Sequence, residues 1–300
     1  MLEEEETEMD LKKTTIQTFQ RKKEHGEKIA MLTAYDYPIA NLLDAAGIDG
    51  ILIGDSLGQV VQGGGDTLAV TVDDIIYHAK AVRRGAEQCL IVGDMPFMSY
   101  QASDEDGLHN AGRIMKEGGC HAVKLEGAGR FCGLIEKLVE SGIPVMGHLG
   151  LTPQSIHIFG GYHVRGKIAE EAKKLYEQAK SLEDAGCFAV VLECIPREIA
   201  AEITHNLAIP TIGIGAGPDC DGQILVINDL VNLYPGFCPK FVRRYADVGG
   251  IIQEAVSKYI EDVRSSSFPA DAESFSMKPS ELEKAVEFLN SKREKMEKKG

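Results

Sequence analysis

The sequence has no C-x-x-C pair, no apolar run long enough to cross a bilayer, and too few bases to balance its acids. Each lack closes off a class of function. The seven cysteines, Cys89, Cys120, Cys132, Cys187, Cys194, Cys220 and Cys238, are odd in number and widely spread, which speaks for reduced, buried fillers rather than a zinc or dithiol redox site. No stretch approaches the roughly 18 apolar residues of a membrane span. With 46 acids against 32 bases the formal charge is -14, which argues against nucleic-acid phosphate or an anionic membrane as the main partner and reads most simply as solubility. The opening MLEEEETEMD has neither the basic start and apolar core of a secretory signal nor the Arg-rich character of a transit peptide. A cytoplasmic location is the expectation.

What is present is an alternation. Short apolar, β-rich runs at Ile29 to Ala34, Gly50 to Ile53, Cys89 to Val92, Ala122 to Leu125, Val145 to Gly147, Ala189 to Leu192, Thr211 to Ile214 and Ile224 to Ile227 are each followed by a turn or polar segment. Between them, Val72 to Arg84, Asp104 to Lys116, Phe131 to Ser141 and Glu170 to Ala185 carry apolar residues at three- and four-residue steps, as amphipathic helices do. Gly47, Gly85, Gly118, Gly142 and Gly186 stand where left-handed helix caps are expected. Eight such βα units close into a (β/α)8 barrel; an open doubly wound sheet is the alternative, and periodicity alone does not separate the two. The expected organisation is an acidic leader over 1–13, one barrel over 14–275, and a charged helical extension over 276–300 with Leu282, Val286 and Leu289 on one face.

In a barrel of this kind catalytic groups stand at the C-terminal ends of strands. There the sequence supplies Asp55 and Ser56 after ILIG, Asp94 after LIVG, Lys124 and Glu126 within AVKLEG, His148 after PVMG and Glu193 after AVVL. Asp55, Asp94 and Glu126 are hard oxygen donors of the kind Mg2+ takes, although a strand-end acid equally caps the next helix or pairs with an arginine. Glu193, between an apolar run and Cys194-Ile195-Pro196, is expected to be partly desolvated, as a general base requires; a buried ion pair is the rival. Lys124 offers a cation for a substrate carboxylate, and His148 a partner for an oxygen that gains charge. GIGAG at Gly213 to Gly217 fits an anion-holding loop or simple tight turns, and QGGGDT at Gln62 to Thr67 fits a lid.

The strings TAYDYPIANLLDAAGID, ILIGDSLG, TVDDIIYHAKAVRRGA, GDMPFMSY, VKLEG, GHLGLTPQSIHIFGGYHVRG, LECIP, IPTIGIGAG and CDGQILV occur in one order from about Thr14 to Phe275. In these the chain resembles the ketopantoate hydroxymethyltransferases. The resemblance implies a (β/α)8 TIM barrel of the phosphoenolpyruvate/pyruvate type that uses Mg2+ and 5,10-methylenetetrahydrofolate to hydroxymethylate 3-methyl-2-oxobutanoate. It implies a homo-oligomer, often a decamer. Carried over residue by residue, Asp55 and Asp94 are metal carboxylates and Glu126 joins them directly or through water. Asp55, Ser56, Asp94 and Lys124 contact the oxo acid, and Glu193 is the proton acceptor. The pattern departs at one loop, where the family usually has a His or aromatic residue near Gly64 and a Pro near Ala69; a looser loop is expected here. The rival lyases and mutases of the same superfamily rely on a K-x-C-G-H string, which this sequence lacks. A silent barrel kept for assembly would be expected to lose some of Asp55, Asp94, Lys124, Glu126 and Glu193, and all five are present.

Overall fold

The computed structural model describes residues 13–234, 236 and 238–297, so the acidic leader lies outside the described residues except for Lys13. Eight parallel strands, β1 (Ile29–Thr33), β2 (Gly50–Ile53), β3 (Leu90–Asp94), β4 (Ala122–Glu126), β5 (Val145–Gly150), β6 (Ala189–Glu193), β7 (Thr211–Ile214) and β8 (Gly222–Leu225), close in sequence order into a barrel. Closure is the pairing of β1 with β8, Ile29 opposite Gly222 and Met31 opposite Ile224. The open-sheet alternative is thereby excluded. The eighth strand begins two residues before the expected Ile224, because Gly222 and Gln223 also pair with Ile212 and Gly213 of β7.

β2 to β4 are buried at every position, and β5 and β6 at all but the last, which is why they read as unbroken apolar runs: a parallel strand in a barrel packs the interior with one face and helices with the other. Leu52, Leu90, Val92, Ala122, Met146, Ala189, Val191, Ile212 and Ile224 fill the interior. Ile51, Ile53, Ile91, Val123, Leu125, Val190 and Leu192 join the outer cluster with Ile75, Ile114, Leu134 and Leu182 of the helices. The helix Ile16–Glu24 stops the N-terminal end of the barrel. Its Phe19 is fully buried among the interior residues and meets Phe188 edge to face at 6.1 Å, while Lys22 pairs with Asp49 and Lys23 with Asp221 at 2.7 Å.

Gly47, Gly142 and Gly186 adopt the expected left-handed conformation (φ +82°, +80° and +93°). Gly85 and Gly118 do not; they are the last residues of their helices, and the left-handed residue after the second is Gly119 (φ +76°). Gly85 is there for contact, since a Cβ on it would lie 2.5 Å from the Tyr37 carbonyl oxygen.

The chain forms two units that part between Ala246 and Asp247, earlier than the residue 275 expected for the end of the barrel. The apolar spacing of 248–264 is that of any barrel helix, and sequence gives no sign that its contacts are made with the following segment. The second unit contains the helices Val248–Arg264 and Pro279–Glu297. Within it the Asp247 side chain accepts from Gly250 N–H, and Tyr259 meets Phe268 at 5.6 Å. Leu282, Val286 and Leu289 of the expected apolar stripe are exposed.

Candidate active site

Alternation along the strands decides which side chains enter the barrel. Positions of one parity share a face, so Asp94 follows Leu90 and Val92 into the interior, Lys124 and Glu126 follow Ala122, His148 follows Met146, and Glu193 follows Ala189 and Val191. Register then sets neighbours: Asp94 stands opposite Lys124, Glu126 opposite His148, and Gly150 opposite Glu193. With Asp55 just beyond β2, the predicted acids and bases meet at one end of the barrel, the C-terminal end of its strands.

Lys124 is the hub. Its Nζ lies 3.0 Å from Asp94 Oδ1, 3.8 Å from Glu126 Oε1 and 3.4 Å from His148 Nδ1, and the side chain is 5% exposed. Burial would lower its proton affinity, but the carboxylates of Asp94, Glu126 and Asp55 outweigh that and hold it charged. Burial, and for Asp55 the adjacent Asp94 carboxylate, pushes the Asp55 and Asp94 carboxyls above their ordinary range. The Asp55 N–H also donates to Asp94 Oδ2 at 3.0 Å.

His148 bridges inward to outward. Nδ1 is 3.4 Å from Glu126 Oε1 and Nε2 is 3.2 Å from Glu193 Oε2. Burial and Lys124 disfavour its protonation, yet Glu126 and Glu193 prevail, so its pKa is pushed up to about 9. Glu193 is the most open carboxylate of the set, its side chain 16% exposed against 1% for Asp94 and 2% for Glu126. Its position owes something to Gly150 (φ +97°), where a Cβ would stand 2.1 Å from the Glu193 carbonyl oxygen. Ser56 lies at the edge of the group, its Oγ 2.8 Å from the Tyr35 hydroxyl.

Three residues of this centre escaped the sequence reading. Gln154, buried in the short turn Pro153–Ser155 after β5, donates from Nε2 to Asp55 Oδ2 at 3.0 Å and from its backbone N–H to Glu126 Oε2 at 3.0 Å. Tyr100 accepts from Glu126 N–H and donates to the Glu126 carbonyl, both at 3.0 Å. Tyr35 supports Ser56. A neutral amide or phenol carries no charge signal, and the only hint was that Gln154 follows a proline just past a strand end.

Asp55, Asp94, Glu126 and Glu193 face one ammonium and one imidazole, which leaves the centre short of positive charge. Among the described residues Asp94 Oδ1 and Glu126 Oε1 are buried and lack a well-directed hydrogen bond, with the Lys124 ammonium 3.0 Å and 3.8 Å away. Among the described residues no three His, Cys, Asp or Glu side chains form a ready-made metal cluster. Hard oxygens in need of positive charge, but without a closed protein cage, suit Mg2+, which keeps several waters and takes one or two carboxylates.

The glycines of the GIGAG loop answer to packing. A Cβ on Gly215 would meet the Phe241 ring at 2.8 Å and one on Gly217 the Arg197 Cβ at 2.5 Å, so the tight-turn reading fits. The QGGGDT loop, expected to be loose, is tied by Gly64 N–H to Gly58 O at 2.7 Å and by Gln59 Nε2 to Gly65 O at 3.2 Å. A Cβ on Gly64 would stand 2.9 Å from that same Gly58 oxygen, which accounts for glycine there.

A family profile described as ketopantoate hydroxymethyltransferase matches residues 13–271. Relatives named 3-methyl-2-oxobutanoate hydroxymethyltransferase include one from Clostridium botulinum (strain Alaska E43 / Type E3), 56% identical over 91% of this chain and 99% of the relative. Another, from Clostridioides difficile (strain 630), is 54% identical over the same shares. Among solved structures, a phosphonopyruvate hydrolase complexed with oxalate and Mg++ superposes with a TM-score of 0.57 at 12% identity, covering 94% of this chain and 96% of that one. A 2,3-dimethylmalate lyase of the PEP mutase/isocitrate lyase superfamily gives 0.56 at 18% identity over 95% and 98%. At such identities these structures speak for the fold alone.

Proposed function

Because the chain belongs to the ketopantoate hydroxymethyltransferase family, we infer that it transfers a hydroxymethyl group from 5,10-methylenetetrahydrofolate to 3-methyl-2-oxobutanoate, giving 2-dehydropantoate for pantothenate biosynthesis. The observation that carries the reading is the buried chain Asp94–Lys124–Glu126–His148–Glu193, which ends in one partly open carboxylate. A substrate that is itself an anion and must lose a carbon-bound proton needs a fixed ammonium, here Lys124, and a partly open base, here Glu193.

Asp55 and Asp94 would hold Mg2+, with Glu126 joining them directly or through water, and the ion would supply Lewis acidity toward the 2-oxo acid. Lys124 and Ser56 would bind and orient the substrate through its carboxylate and oxo oxygens. Glu193 would take the C3 proton at its exposed carboxylate edge. His148, protonated near neutral pH by its two glutamates, would keep Glu193 aimed and present a donor where oxygen gains charge. C3 then bonds to the methylene carbon of the ring-opened folate, whose bond to N10 has broken as N10 took a proton; water next replaces N5 on that carbon, its hydroxyl staying on the product and its proton going to N5 as tetrahydrofolate leaves. The buried side chains around Lys124 keep bulk water from the reacting carbon.

NMR of 3-methyl-2-oxobutanoate in D2O with Mg2+ and no folate tests the base assignment. Exchange at C3 should fall about 10²–10⁴-fold in Glu193→Gln while divalent-ion binding persists; unchanged exchange in that variant would sink the assignment. Cytoplasmic placement and a homo-oligomer, a decamer by resemblance, belong to the same proposal. Ile251, Ile252, Val256, Tyr259 and Ile260, exposed on the helix Val248–Arg264, support assembly, which sedimentation checks: a monomer at micromolar concentration rejects it.

A further inference from the structure

Gln154 makes five polar contacts in and around this centre. Its Nε2 donates to Asp55 Oδ2 at 3.0 Å and to the Met95 carbonyl at 2.9 Å. Its Oε1 accepts from Gln101 Nε2 at 3.0 Å and lies 3.2 Å from the Tyr100 hydroxyl. Both amide hydrogens thus have acceptors, and the carbonyl oxygen has the Gln101 amide as its donor. The orientation is unambiguous, because a backbone carbonyl can only accept and must therefore face the NH2 group. The same residue's backbone N–H reaches Glu126 Oε2 at 3.0 Å.

One buried residue therefore ties down one oxygen of each of two carboxylates from different strands. What remains is the second oxygen of each, and for Glu126 that oxygen, Oε1, has no hydrogen bond. We propose that Gln154 is the positioning residue of the divalent-ion site: it holds Asp55 and Glu126 so that one oxygen of each faces the ion and its water shell. The proposal rests on the magnesium reading given above and adds to it a residue that touches neither ion nor substrate. Partners beyond the ligands of a metal commonly govern its affinity in this way.

The test is calorimetric titration of the full-length, metal-free chain with Mn2+, which needs no substrate; the chain has no tryptophan to report binding by fluorescence. Gln154→Met keeps the volume and removes every side-chain hydrogen bond. Gln154→Glu keeps the shape but sets an acceptor against Asp55 and the Met95 carbonyl. Both should bind Mn2+ about 10–100-fold more weakly than the parent chain. At Mn2+ concentrations that saturate each variant, C3 exchange should recover to within about tenfold of the parent, a split that a general loss of structure would not produce. Circular dichroism fixes which variant is folded, and either folded variant decides the matter. Parental Mn2+ affinity within twofold in a folded variant overturns the inference alone. No Mn2+ binding by the parent chain overturns the magnesium reading and the inference with it.

Discussion

Gly150 offers a quantitative check on how the barrel holds its base. A methyl group placed there has two costs. The first is conformational, since φ is +97°, and an L side chain in the positive-φ region costs about 1–2 kcal/mol. The second is contact: the new carbon would lie 2.1 Å from the Glu193 carbonyl oxygen and 2.8 Å from Ile195 Cγ2, and backbone cannot swing aside as a side chain would. To regain even 3.0 Å the carbonyl must move by about 1 Å, which breaks the 2.9 Å bond it accepts from Leu151 N–H, a loss of about 1 kcal/mol or more. Gly142 supplies the control, because it has φ +80° and a Cβ on it would meet nothing within 4 Å. Gly142→Ala should lose about 1 kcal/mol and Gly150→Ala about 2–3 kcal/mol. At roughly 2–4 °C per kcal/mol for domains near this size, Gly150→Ala should melt about 2–8 °C below Gly142→Ala by calorimetry. A displacement of about 1 Å at the base should also cut C3 exchange about 10²-fold in Gly150→Ala and leave it intact in Gly142→Ala. Equal melting temperatures with equal exchange would refute the claim that this close approach positions Glu193.

Two further expectations concern charge. Lys124→Met strands the Asp94 and Glu126 carboxylates without their ammonium, a change that costs about 3–5 kcal/mol when a buried pair is broken. Urea unfolding at pH 7 in chelator should show it, and a loss under about 1 kcal/mol would mean that those carboxyls are not held by Lys124. Asp44 links the helix Tyr37–Ala45 to the start of β3; against the upward push of burial, the N–H groups of Glu87, Cys89 and Gln88 keep its carboxyl below the ordinary range. A folded-state pKa below the unfolded one means stability present above about pH 4 and lost as pH falls through the folded value. Asp44→Asn should therefore lower stability by about 1–2 kcal/mol at pH 7, a modest figure because the group is partly exposed, and by progressively less below about pH 4. A difference that does not shrink in acid counts against it.

Much of the chemistry was legible because it is local. Asp94, Lys124, Glu126, His148 and Glu193 sit at apolar-run ends, where a strand carrying them inward must deliver them to the rim. The runs of β3 to β6 stopped one to three residues short of the strand ends, while those of β1 and β8 ran past them: β5 continues past Gly147 to Gly150, since pairing with β6 extends the strand beyond the polar His148. Gly85 and Gly47 look alike in sequence, yet one is a close helix contact and the other a left-handed cap; that difference lies in a Tyr37 carbonyl 2.5 Å away. Gln154 shows the limit most plainly. Its hydrogen bonds reach residues 99, 59 and 28 positions away, so beyond the preceding proline nothing in its neighbourhood along the chain marks it.

By itself, then, the sequence determined the alternation of strand and helix, the parity that turns each acid and base inward, and the family to which the chain belongs, because all three are properties of short segments or of their order. Tertiary structure decided that the sheet closes, through Ile29 against Gly222, that Lys124 and His148 are shared among Asp94, Glu126 and Glu193, and that Gln154 meets Asp55 through its side-chain amide and Glu126 through its backbone N–H. Those depend on contacts between segments far apart in the chain, whose geometry is set only when the whole interior is packed.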